Sequence, residues 1–222
     1  MNLLCLLAAE SDLLAGMPAP DDWLTSTERV RLQSLGTAAR RDTFLAARWL
    51  ARRAVQHWLG VDHLPALDVA DSGACRVAGI DDAHVSISHS AGAVACAVSG
   101  VPVGIDVESL ARPRDHLALA EAVHGPAQRE QLAILPTDAR ALAFLRFWTL
   151  KEAWLKARER GLDFALMRAL TFVDDPLGDV AVTNRGDLVL AIAADPALPL
   201  QIDGLPDVVW QRSRTRPFDA AD

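Results

Sequence analysis

At 222 residues, 51% hydrophobic and 23% charged, the chain is long enough for one large domain or two small ones around a substantial core. Its net charge of -7 excludes a global positive field, and with it nonspecific attraction to nucleic acid or to an anionic membrane. An anionic ligand therefore needs a local basic cluster, and the basic residues are 20 arginines and only two lysines, Lys151 and Lys156.

The opening MNLLCLLAAESDLL has no basic segment before its apolar run, and that run is too short to span a bilayer. It predicts a buried first strand. Cys5, Cys75 and Cys96 are odd in number and widely spaced, with no partner at metal-ligand spacing, which fits packing roles in a reducing cytoplasm. A short helix is predicted from Ser26 or Thr27, then a long one from near Thr37, whose hydroxyl can cap free backbone N–H groups. In the long helix, RRDTFLAARWLARR carries Arg41, Arg48, Arg52 and Arg53. A hairpin follows in HVSISHSAGAVACAVS, turning at Gly92.

After a join near residues 100–103 the same order returns. The strand VGIDVE leads to a short helix opened by Pro126, a long helix from near Thr137, and a hairpin, DVAVTNRGDLVLAIAA, turning at residues 185–187. Residues 28–50 align with 128–150 without a gap, nine of 23 positions being identical. A period of 100 is too long for a solenoid and implies a duplicated domain. Hairpin-paired strands mixed with helices predict an α+β fold: two similar halves, 1–102 and 103–222, packed as an intramolecular pseudodimer and so a monomer.

The halves differ in their acids. At the offset of 100, Asp106 and Glu108 replace Leu6 and Ala8, and Glu152 and Lys156 replace Arg52 and Gln56. Alternation along VGIDVE sends Asp106 and Glu108 to one face, where they repel unless a cation lies between them; the plain alternative is a solvated edge strand. A hard cation such as Mg2+ suits that position and borrows its remaining ligands from a phosphate. Glu152 and Lys156, four apart, share a helix face and are either an exposed pair or, in a cleft, a metal ligand beside a phosphate-binding cation. Lys151, one position before Glu152, is expected to turn away into solvent. Arg52 and Arg53 are read as a solvated helix face.

With ERVRLQSL, RRDTFLAARWLARRA, SISHS, GIDVE and FWTLKEAWLK in order, the chain resembles the 4'-phosphopantetheinyl transferases of the pseudodimeric, Sfp-type branch. That resemblance implies transfer of the phosphopantetheine arm of coenzyme A to a serine of an acidic acyl or peptidyl carrier protein, with release of adenosine 3',5'-bisphosphate. It implies Mg2+ held by Asp106, Glu108 and Glu152, with Glu152 doubling as the base for the serine and Lys156 neutralising the leaving phosphate. It further implies coenzyme contacts from Arg48, Ser88 and His89, with Arg41 and Arg76 as further candidates. Three positions depart from the family's pattern: Glu159 where glycine is common, Gln128 where glutamate is usual, and Cys75 where proline often follows the basic residue's glycine. A noncatalytic carrier-binding module and a Mg2+-dependent nucleotide hydrolase are the rival readings.

Overall fold

The computed structural model describes residues 2–70, 72–194 and 201–217. The first half runs through strand β1 (Asn2–Ala9), helices α1 (Glu10–Gly16), α2 (Ser26–Ser34) and α3 (Ala38–Leu59), and strands β2 (Leu67–Val69), β3 (Cys75–Val77), β4 (Ile80–Ser90) and β5 (Ala93–Ser99). The second comprises β6 (Val103–Ser109), α4 (His116–Val123), α5 (Pro126–Ala133), α6 (Thr137–Ala157), α7 (Phe164–Ala169), β7 (Leu170–Asp174), β8 (Val180–Arg185), β9 (Leu188–Ala194), β10 (Gln201–Asp203) and β11 (Gln211–Pro217). The fold is α+β, as expected, and among the described residues no helix is long and apolar enough to cross a membrane.

Local sequence explains most helix starts. Thr25 caps α2 in a reciprocal capping box with Glu28, one residue ahead of the predicted start. Thr37 caps α3 by accepting the Arg40 N–H. Thr137 does not cap α6. It is the first helical residue, and Pro136 stands at the cap without a side-chain bond, its ring fixing the approach of the chain instead. The opening segment is a strand whose Leu3, Leu4 and Cys5 are buried, and all three cysteines are free and buried.

The strands form two sheets, in the orders β10-β1-β5-β4-β3-β2 and β6-β9-β8-β11-β7. Beside the hairpin β4–β5 lies β1, antiparallel to β5; beside β8–β9 lies β6, antiparallel to β9. Alternate residues fill different layers. On β5, Val94, Cys96 and Val98 pack with Ala46, Leu50 and Ala54 of α3, while Ala95 and Ala97 face Ile105, Leu190 and Ile192 of the other sheet. Val189, Ala191 and Ala193 on β9 turn the other way, toward Leu150 and Ala153 of α6. The order is helix, sheet, sheet, helix, and both central strands are apolar on two faces because both faces are covered.

One strand crosses the predicted boundary. β10 pairs parallel with β1, so the first sheet draws its edge from beyond residue 102.

Candidate active site

β6 is the free edge of its sheet, yet its backbone is not bare. Ser86 Oγ accepts the Ile105 N–H at 3.0 Å and Ser88 Oγ accepts the Val107 N–H at 3.3 Å, so the serines of SISHS tie this edge to β4. Pleating sends Val103, Ile105 and Val107 to the other sheet and Gly104, Asp106 and Glu108 toward α6. At Gly104 a Cβ would collide with the Ala153 carbonyl and the Ala157 N–H, so only glycine lets the helix lie this close. That approach brings one turn of α6, with Glu152 and Lys156, over Asp106.

Lys156 is fixed by three bonds. Its Nζ donates to Asp106 Oδ1 at 2.7 Å, to the Ile105 carbonyl at 3.1 Å and to Ser88 Oγ at 3.2 Å, and Ser88 in turn donates to Asp106 Oδ1 at 2.8 Å. Asp106 is buried; burial raises its pKa, and the charge and hydrogen bond of Lys156 offset this only in part. Glu152 is pushed to about 7, first by burial and then by repulsion from Asp106, with Lys156 acting against both and Glu108 adding to the rise. Glu108 turns outward to Arg114, at 2.5 Å, and to Ser90, at 3.0 Å.

Beside this cluster a cleft of about 280 Å3 opens between residues of both halves, lined on one side by Arg48, Cys75, Arg76 and His84 and on the other by Lys156 and Glu159. Arg48 is 6% exposed. Its Nε meets Glu28 Oε1 at 2.5 Å and its Nη1 meets Cys75 Sγ at 3.2 Å, while Nη2 is buried without a partner. Glu28 also holds Arg52. Burial pushes the Glu28 carboxyl up, but the bonds from Arg52 and Thr25 and the charge of Arg48 outweigh it, leaving it below the ordinary range. Arg52 is thus not on a solvated face: at 1% exposed it is the counterion of a buried acid, whereas Arg53 is exposed as expected.

The remaining candidates scatter. Arg76 reaches the cleft and pairs with Glu159 across it. Ser88 belongs to the acid cluster. His89 follows it on β4 but is exposed, and Arg41 donates to the Leu35 carbonyl at 2.8 Å, closing the end of α2 away from the cleft lining. Lys151 corrects the expectation of a solvent-facing side chain. It is fully buried, and its Nζ donates to the Val123 carbonyl at 2.8 Å and Gln128 Oε1 at 2.7 Å and lies 2.9 Å from His124 Nδ1. The physical reason is that α4 and α5 cover the side of α6 away from the sheet, so leaving the Glu152 face does not mean reaching water. Sequence reasoning also missed His84 and Arg114; both lie among ordinary charged residues with no local pattern to mark them.

The donor set fits a hard cation. Asp106 Oδ2 is buried with no hydrogen-bond partner, and burial, reinforced by Asp106 and Glu108, raises Glu152 to about 7 despite Lys156, so the acids hold more oxygen donors than that one lysine satisfies. As the side chains stand, no three acid, imidazole or thiol groups among the described residues converge on one point, because Glu108 is drawn off by Arg114.

Residues 102–196 match the family model described as the 4'-phosphopantetheinyl transferase superfamily. Among curated proteins the chain is similar to the 4'-phosphopantetheinyl transferase psf-1 of Bacillus pumilus, 35% identical over 83 residues, and to HetI of Nostoc sp., 31% over 144 residues. It is 32% identical over 87 residues to the 4'-phosphopantetheinyl transferase Sfp of Bacillus subtilis. These alignments cover 37%, 63% and 39% of this chain and 35%, 61% and 38% of the relatives, so the chain spans less than two thirds of each. The matched segment contains Asp106, Glu108, Glu152 and Lys156, so the part of the chain that carries the acid cluster is the part similar to that superfamily.

Proposed function

We propose that the protein transfers the 4'-phosphopantetheine arm of coenzyme A to a serine of an apo acyl or peptidyl carrier protein. The observation that carries this reading is the meeting of Glu152, the buried Asp106 with one oxygen unpaired, and Lys156, all beside a cleft whose Arg48 keeps one buried N–H group free. In the reaction the serine oxygen bonds to the phosphorus on the pantetheine side of the pyrophosphate, and the bridging P–O bond breaks. Its electron pair leaves with adenosine 3',5'-bisphosphate. Glu152 takes the serine proton. Lys156, held by three oxygens, stands where charge gathers on the leaving phosphate, and Arg48 and Arg76 receive the coenzyme's other phosphate groups. Mg2+ would be held by Asp106, Glu108 and Glu152 and, when bound, supplies charge neutralisation at the pyrophosphate.

The shared orders β1-β5-β4 and β6-β9-β8, with α3 and α6 on the outer faces, support two duplicated halves, 1–102 and 103–222, packed as a pseudodimer. The reading places the enzyme in the cytoplasm, where free thiols persist and the partner is a small acidic domain. Incubation with coenzyme A, Mg2+ and an apo carrier protein should raise the carrier's mass by one phosphopantetheine, and Glu152→Gln should abolish the shift. Cleavage of coenzyme A without a carrier would indicate a hydrolase, and binding of the carrier without a mass shift would indicate a noncatalytic module.

A further inference from the structure

The mouth of the cleft is crossed by a contact that the proposed chemistry does not need. Glu159, just beyond α6, pairs with the Arg76 guanidinium and accepts a hydrogen bond from Ser72 Oγ at 2.7 Å, joining the two sides. The backbone there has φ +51°, a conformation that costs an L side chain more than it costs glycine. Local conformation therefore gives no reason for glutamate. Stability gives little more, because the two side chains are 37% and 33% exposed and such pairs are weak in water. The bonds from Arg76 and Ser72 hold the Glu159 carboxyl below its ordinary range, so it is an anion under all ordinary conditions. Around it Arg48, Arg76, Lys156 and Arg160 line the cleft, and among the described residues Glu159 is its one carboxylate.

We propose that Glu159 is an internal competitor for the anionic ligand of this cleft, its carboxylate occupying Arg76 in the free protein in the position that a phosphate group of the ligand takes. The inference rests on the coenzyme reading above. A carboxylate offers a guanidinium the same pair of oxygens as a phosphate, and being tethered it competes at high effective concentration. A ligand with one phosphate must win Arg76 against it, whereas a ligand with several also gains the other cations. Glu159 thus sets a threshold of ligand charge and selects polyanions such as coenzyme A over free phosphate.

The test compares the full-length protein with Glu159→Gln, which keeps the side-chain length and the backbone cost, and Glu159→Gly, which removes both. Calorimetric titration with coenzyme A should show Kd lowered about three- to tenfold in Glu159→Gln and at least as much in Glu159→Gly, with a steeper dependence on salt. Inorganic phosphate should gain by a larger factor than coenzyme A, and the KM for coenzyme A should fall without a rise in kcat. Thermal unfolding confirms that each variant is folded. Wild-type binding of coenzyme A that is unchanged or weakened in both folded variants would overturn the inference alone and leave Glu159 as a brace. Failure of coenzyme A to bind to any of the three would overturn the functional reading and this inference with it.

Discussion

Lys151 and Lys156 sit on one helix and have opposite surroundings. Lys156 lies beside the Asp106 carboxylate at the edge of a cleft; Lys151 spends its three donors on a carbonyl, an amide and an imidazole in the interior. Burial lowers Lys151 to about 7, and burial together with the lysine's charge lowers His124 to about 3, so that the imidazole stays neutral. Lys151 and its neighbour Glu152 then act on stability with opposite signs. Lys151, lowered from 10.5, contributes stability that is fully present above that value and lost as pH falls through about 7. Glu152, raised from 4.5, contributes stability that is present below 4.5 and lost as pH rises through about 7. Urea unfolding of the ligand-free protein at a series of pH values should show Glu152→Gln stabilised by about 1–3 kcal/mol above pH 7, the gain vanishing near pH 4. Lys151→Met should lose about 2–4 kcal/mol at pH 9, since it leaves buried acceptors unpaired, and a smaller loss at pH 6. A neutral effect at position 151 would contradict its buried network. At this scale the sequence announced which residues matter but not where each one points. Phe144, Phe147, Trp148, Trp154 and Leu155 make α6 apolar on several sides, and no periodicity marks a wet face that does not exist.

Among the elements, the decisive relation is the contact of β6 with α6. Alternation made the shared face of Asp106 and Glu108 readable from VGIDVE, and the spacing of four did the same for Glu152 and Lys156. What could not be read is the way they are held. The serines that close the β6 edge come from β4 in the other sheet, and the acid that fixes Arg48 lies on α2, so both arrangements depend on tertiary packing. Gly104 sets the distance between strand and helix. Gly104→Ala should force the two apart, costing about 1–3 kcal/mol by overpacking, and should reduce kcat by more than tenfold in protein that remains folded. Thermal unfolding and single-turnover rates measured on the same preparation check both parts; a stable variant with normal turnover would show that the Asp106 to Lys156 geometry tolerates movement.

At the scale of the whole molecule, the repeat at an offset of 100 accords with the matching strand orders β1-β5-β4 and β6-β9-β8. Two buried inner faces, from β5 and from β6 and β9, already cover each other. We therefore expect a monomer in solution, because the surface that a single half would bury against a second chain is used internally. Sedimentation velocity at micromolar concentration should give one species near 23.9 kDa, and a stable dimer would contradict that expectation. β10 was not foreseen. Three residues, Gln201–Asp203, are too few to show alternation, and only their register with Asn2–Leu4 makes them a strand.

That short strand sets an order of events during synthesis. When the first half leaves the ribosome, β1 has β5 on one side and nothing on the other, and its outer edge remains an open template for any passing strand. The partner that pairs with its first three residues, Asn2–Leu4, is encoded about two hundred residues after them. Until residues 201–203 emerge, the nascent chain carries an unpaired edge next to a face rich in leucine, valine and alanine. The period of greatest vulnerability to aggregation should therefore be the time during which the second half is being translated. Chains stalled before residue 201 should be the species that chaperones retain.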